Sequence, residues 1–188
     1  MKFHHRARSV TLIFLVWLFM GASVPVCFAG KADVMREDAQ KALKKLYDTT
    51  HAAKALGEKA EGILVFPEIM KAGFLIGGQY GNGVLFNSTG ATEAYYRSFA
   101  ASYGLQAGFQ RFGYVLFFMT RDDLNYIYTS DGWEIGVGPS IVLVDAGMAK
   151  VMSTTTTQEG VYAFIFDQKG VMAGLGIQGT KITRIYPR

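Results

Sequence analysis

Imidazole and thiol chemistry is scarce in this 188-residue chain: its histidines are His4, His5 and His51, and its one cysteine is Cys27. All but His51 fall within the first 29 residues. A single imidazole does not assemble a His/Cys metal cluster, and without a thiol beside it there is no Cys–His nucleophile. A Ser-His-Asp triad would have to use His51, which lies in a helical stretch of small residues and reads as a surface position. The acids add little. Asp122-Asp123 suit a helix start, where the dipole favours negative charge, and Asp131 and Glu134 flank Gly132-Trp133 in a turn. Nothing in their spacing selects a hydrolytic carboxylate pair or an oxygen-ligand cation site. Gly174-Leu175-Gly176-Ile177-Gln178-Gly179 matches G-x-G-x-x-G by letter. The dinucleotide fingerprint needs a helix opening at its third glycine. Here Thr180–Arg184 alternates like a strand, with nine residues in all after Gly179. The expectation is a non-enzymatic protein with no cofactor and no metal.

What remains is the chemistry of surface cations. Lys41, Lys44 and Lys45 lie beside an apolar stripe on one helix, the composition of a helix that rests on an anionic membrane. The same pattern suits a helix that packs its stripe on a sheet and leaves the lysines in water. Arg97, Arg111, Lys181 and Arg184 fall in or beside strand-like segments and, with Lys71, offer a phosphate-binding patch or a scattered solvated set. These eight cations are the candidate lipid-binding residues.

The elements that carry them divide the chain in two textures. Residues 32–47 place Met35, Ala39, Ala42, Leu43 and Leu46 on one stripe at helical spacing, with Asp33 as a candidate cap. A second short helix is expected from Thr50 to Leu56, stopped by Gly57. From Gly62 the period falls towards two and glycine and aromatics become frequent. Gly62–Phe66 reads as a strand ended by Pro67, with a helical turn running to Lys71. Phe74–Gln79 and Val84–Asn87 flank Gly81-Asn82-Gly83, a hairpin-turn signal. Leu105–Met119 suggests two strands broken near Phe112-Gly113, followed by a helix starting at Thr120. Trp133–Val144 alternates with Pro139 at an edge or bulge, and Val161–Phe166 turns at Asp167–Gly170 into Val171–Gln178. Lys181–Tyr186 is a last strand. The fold class is therefore α+β: N-terminal amphipathic helices packed on a strongly curved, mainly antiparallel, glycine-rich and barrel-like sheet.

The N-terminus carries an address. Lys2, Arg6 and Arg8 precede an apolar run from Val10 to Met20, and Cys27-Phe28-Ala29 places small residues before a cut at Gly30. Basic start, apolar middle and small-residue exit make an export signal, and the run is shorter than the roughly 20 residues of a spanning helix. Residues 1–29 are thus expected to be a signal peptide and 30–188 a single domain. A lipoprotein anchored at Cys27 is the alternative, but the preceding Val26 matches that signal poorly. Cleavage removes the one thiol and three of the 19 bases, leaving sixteen against 15 acids and a net charge of +1. A nucleic-acid partner loses its electrostatic ground.

Ala60-Glu61-Gly62-Ile63-Leu64-Val65-Phe66-Pro67, continuing through Lys71-Ala72-Gly73-Phe74-Leu75-Ile76-Gly77-Gly78 and Gly81-Asn82-Gly83-Val84-Leu85, resembles the SYLF domain family. Gly104-Leu105-Gln106-Ala107-Gly108 and Gly170-Val171-Met172-Ala173-Gly174-Leu175 agree in order, so the resemblance spans about residues 33–185. Where the family commonly has Trp-Ser-x-Pro, this chain has Tyr95-Tyr96-Arg97-Ser98. The resemblance implies a non-enzymatic lipid-binding module. Eukaryotic members are associated with phosphoinositide membranes and actin, through an amphipathic N-terminal helix. For an exported protein it implies an anionic phospholipid or another envelope lipid as partner, in the periplasm or at the envelope membrane, with helix 33–47 in the contacting place. A scaffold for envelope protein partners and a small outer-membrane β-barrel are the rival expectations.

Overall fold

The computed structural model describes residues 30–130, 132–134, 138–144, 160–171 and 180–188, with the side chains of 75, 102–107 and 171 left aside. Residues 1–29 with the expected export signal and Cys27, Asp131 and the whole G-x-G-x-x-G match lie outside the described residues, as does the expected strand beyond Val171.

Helix α1 spans Lys31–Thr49 and α2 His51–Gly57, as the helical spacing requires. The N-cap of α1 is Gly30, not Asp33. Asp33 sits inside the first turn and pairs with Arg36 at 2.7 Å, which still places a negative charge at the positive end of the dipole. Ala39 and Leu46 are fully covered and Met35, Ala42 and Leu43 half-covered, all against one face of the sheet. His51 is exposed at the start of α2.

Strands β1 (Gly62–Asn87) and β2 (Thr92–Phe118) form one long antiparallel hairpin. Three expectations about it need correction. Pro67 does not end the strand: the ladder shifts register between Phe66 and Ile69 and continues, which is how a sheet accommodates a residue without an N–H. Phe112-Gly113 does not break β2 but marks a register shift against the neighbouring strand. The hairpin turn is not at 81–83 but at Ser88-Thr89-Gly90, where Gly90 takes φ 81° and the Asn87 side-chain oxygen accepts from the Thr89 and Ala91 amides. Gly81 and Gly83 serve close approach instead. β1 folds back over itself, so that a Cβ at Gly81 would lie 2.6 Å from the Glu68 carbonyl oxygen and one at Gly83 2.6 Å from the Phe66 ring. At the bend, a Cβ at Gly73 would lie 2.7 Å from the Gly77 Cα.

Helix α3 (Arg121–Thr129) starts as expected, with the Thr120 hydroxyl accepting from the Asp123 amide. The expected Trp133–Val144 strand is two pieces, β3 (Trp133–Glu134) and β4 (Ile141–Val144), at opposite ends of the sheet. Strand β5 (Val161–Val171) runs through the expected turn, with Asp167 and Gly170 at positive φ, and β6 (Lys181–Ile185) closes the chain. The order is β3-β6-β2-β5-β4, with β1 paired to β2, six strands among the described residues. Among the described residues only the β4–β5 pair is parallel. The sheet curls into a half-barrel on which the N-terminal helix packs.

Curling gives the sheet two unlike faces. The inner face holds Leu64, Phe66, Leu85, Tyr96, Tyr114 and Phe118, closed off by Trp133 and by Leu124 and Ile127 of α3. The outer face, over Ile63, Val65, Val84, Phe86, Val115 and Phe117, is covered by α1 and α2. Strand burial on both faces explains the near-continuous apolar runs 62–66 and 114–118. A barrel wall turned to lipid would leave that outer face bare, so the outer-membrane barrel reading loses its ground over the described residues.

Candidate functional site

The eight candidate cations separate into three settings. On α1, Lys41 pairs with Glu37 at 2.6 Å, Lys44 with Asp48 at 2.5 Å and Lys45 with Asp167 of β5 at 2.6 Å. The Lys41 contact holds the Glu37 carboxyl below its ordinary range and raises the Lys41 ammonium, chiefly through the hydrogen bond. These are exposed pairs, each worth little in water. The apolar stripe of this helix is already occupied by the sheet. Beside it lies an open cleft of about 430 Å³, floored by Leu43, Tyr47, Ile63 and Phe86, with Lys44 and the 87–90 turn at its lip. Burial pushes the Tyr47 phenol up to about 12.

Lys71 is inside. Between Ile69 and Leu85 the described odd positions of β1 face inward, and Lys71 and Gln79 are buried there with Gln110 and Ser98 of β2. It does not join a surface patch. Arg184 stands opposite the inward-facing Tyr96 and lies 5.5 Å from the Tyr186 ring.

Arg97, Arg111 and Lys181 all stand at outward-facing strand positions, Arg97 and Lys181 beside one limb of the bent β1 and Arg111 beside the other. Arg97 lies 5.3 Å from the Tyr80 ring centre and donates from Nε to Asn82 at 3.3 Å. Arg111 lies 5.9 Å from the Phe109 ring and 3.3 Å from Glu68. Lys181 stands opposite Phe99 on one side and Glu134 on the other. Among them, Met70, Phe74, Ile76, Tyr80, Phe99 and Phe109 are exposed. The register explains why they face outward: even positions of β1 point out here, Tyr80 opposes Phe99 on one limb, and Phe109 opposes Ala72 on the other. No acid occurs in 69–82 or 97–111. The sequence reading missed these apolar residues, because an alternating strand that buries Lys71 and Gln79 and exposes Phe74 inverts the usual pattern. The signal present was that the odd positions of 71–79 hold Lys, Gly, Leu, Gly and Gln, whereas the even positions of 70–76 are apolar throughout.

Among the described residues no group of three or more His, Cys, Asp and Glu is placed to hold a metal ion. No described helix is long and apolar enough to cross a membrane.

The fold and this surface define an α+β half-barrel with an apolar, cation-edged outer face. Residues 99–185 match the family model described as Ysc84: Las17-binding protein actin regulator, consistent with a SYLF domain family protein. The SYLF resemblance is borne out over that span, which includes most of β2 and its partners β5 and β6; the glycine-rich block of β1 lies before it. No curated protein matches the chain.

Proposed function

We propose that this chain is an exported, non-enzymatic lipid-binding protein of the cell envelope that contacts anionic phospholipid in the periplasm or at the envelope membrane. The observation that carries the reading is the exposed apolar outer side of the bent hairpin, bordered by Arg97 and Lys181 on one limb and Arg111 on the other, with no acid in its central segments. Cations at such positions attract phosphate headgroups by about 1 kcal/mol each near an anionic membrane. Arg97 is the best placed, since its neighbours Tyr80 and Asn82 are neutral. Helix α1 offers neither its apolar stripe, which the sheet covers, nor an unpaired ammonium at Lys41, Lys44 or Lys45. Export is supported by the pattern of residues 1–29 and by α1 beginning at Lys31, one residue past the expected cut.

The test is co-sedimentation of the exported protein with vesicles of phosphatidylglycerol and phosphatidylcholine against phosphatidylcholine alone, at low and high salt. The reading expects binding to the anionic vesicles that weakens with salt; absence of binding to both rejects it. A protein-partner scaffold is the second reading, favoured by the matched family's description as Las17-binding. A specific pull-down from envelope extract by a protein that ignores vesicles would select it.

A further inference from the structure

The outer face of the β1–β2 hairpin has an apex. β1 bends where Gly73 and Gly77 nearly touch on the inner side, and the bend throws Phe74 and Ile76 outward at 75% and 70% exposure. Tyr80 and Phe99 on one limb and Met70 and Phe109 on the other continue the apolar surface away from it. Proteins seldom leave so many large apolar groups together in water without a partner. The occupant is a bilayer, on two grounds. The first is charge: Arg97, Arg111 and Lys181 surround the apolar residues, no carboxylate lies in 69–82 or 97–111, and Glu68 and Glu134 stand only at the border. The second is dimension. At about 3.3 Å per residue, Met70 (opposite Arg111) and Tyr80 (opposite Phe99, beside Lys181) lie about 13 Å back from the apex. One leaflet's hydrocarbon depth is about 15 Å. Side chains at the bend therefore reach the acyl region while the cations stand among phosphates, with Tyr80 at the level where amphipathic rings collect. A convex apex also offers a second copy little surface to bury.

We propose that the hairpin apex formed by Phe74 and Ile76 inserts into an anionic bilayer, with Arg97, Arg111 and Lys181 holding headgroup phosphates behind it. This rests on the lipid-binding reading and adds the mode of contact: insertion, not adhesion by charge alone. Phe74→Ser with Ile76→Ser should weaken partition into phosphatidylglycerol vesicles on the order of 100-fold, since each variant removes a large apolar side chain from the buried surface. The circular dichroism of the folded protein should be unchanged. Residual vesicle binding of the unaltered protein should persist at high salt. Phe74→Trp should bring an emission that shifts to the blue on vesicles and is quenched by lipids brominated on their acyl chains, whereas the buried Trp133 should not respond. Vesicle binding that is abolished by salt, with the introduced indole unquenched, overturns the insertion while leaving the lipid reading in place. A concentration-dependent dimer that the double serine variant breaks, again without quenching, overturns it too and assigns the apex to a second copy. If the unaltered protein ignores all vesicles, the lipid reading itself fails.

Discussion

The two ends of the long hairpin show the same ingredients put to opposite use. Where α1 crosses Ile63 and Phe86, apolar residues are covered and Lys41, Lys44 and Lys45 are each matched by a carboxylate at 2.5–2.6 Å. At the bend, apolar residues face outward and the guanidinium groups lie against rings. An amphipathic element facing its own domain is internally satisfied; one without a covering layer keeps its apolar surface and charge for a partner. The difference moves the expected membrane contact from the helix to the sheet.

Loosening the helical end should break that contrast most sharply. Phe117 is fully buried, 6.4 Å from the Tyr47 ring and 5.6 Å from that of Phe164. Phe117→Ala should cost about 3–5 kcal/mol in denaturant unfolding, and should raise protease cleavage within α1 as its stripe is released. Next in size is the fold-back. Gly83→Ala puts a methyl 2.6 Å from the Phe66 ring and 2.8 Å from the Val65 carbonyl oxygen, so a loss of about 1–3 kcal/mol is expected from the unfolding midpoint. An unchanged midpoint would mean that the two limbs do not approach as described.

Charge reversal compares the ends directly. Arg97→Glu with Arg111→Glu should lower anionic vesicle binding at least tenfold at low salt, at about 1 kcal/mol per basic residue. Lys41→Glu with Lys44→Glu should change it by less than about threefold, because these groups are not backed by insertion. Equal losses would restore the helix as the contact. The smallest effect is alkaline. The Tyr47 phenol is held neutral by burial up to about 12, whereas an unfolded phenol ionises near 10. The unfolded state then loses its proton first, so this stability is present below pH 10 and falls between about pH 10 and 12. Tyr47→Phe should flatten that part of the stability profile.

The helices were legible because their signals are local. The α1 stripe is set by helical spacing, and the Thr120 cap needs only the amide three residues on. The turn was misplaced for a physical reason: Asn82-Gly83 has turn composition, yet the glycines on either side of Asn82 answer to Phe66 and Glu68, partners more than ten residues away in sequence. Pro67 and Asp167–Gly170 likewise resemble chain breaks, but a ladder held on both sides of them absorbs the irregularity as a shift in register.

The candidate site was half legible. Arg97, Arg111 and Lys181 were visible as strand cations, but their outward placement depends on cross-strand register, and so does the exclusion of Lys71. Sequence by itself determined the alternation of 70–80: polar, glycine and leucine side chains on one side, apolar groups on most of the other. Only the tertiary structure decided which side faces water. A period of two assigns residues to opposite faces without saying which face is covered. That choice was made by the glycine-lined bend, which turned Lys71 and Gln79 inward, and by the reach of α1, which stops short of Phe74.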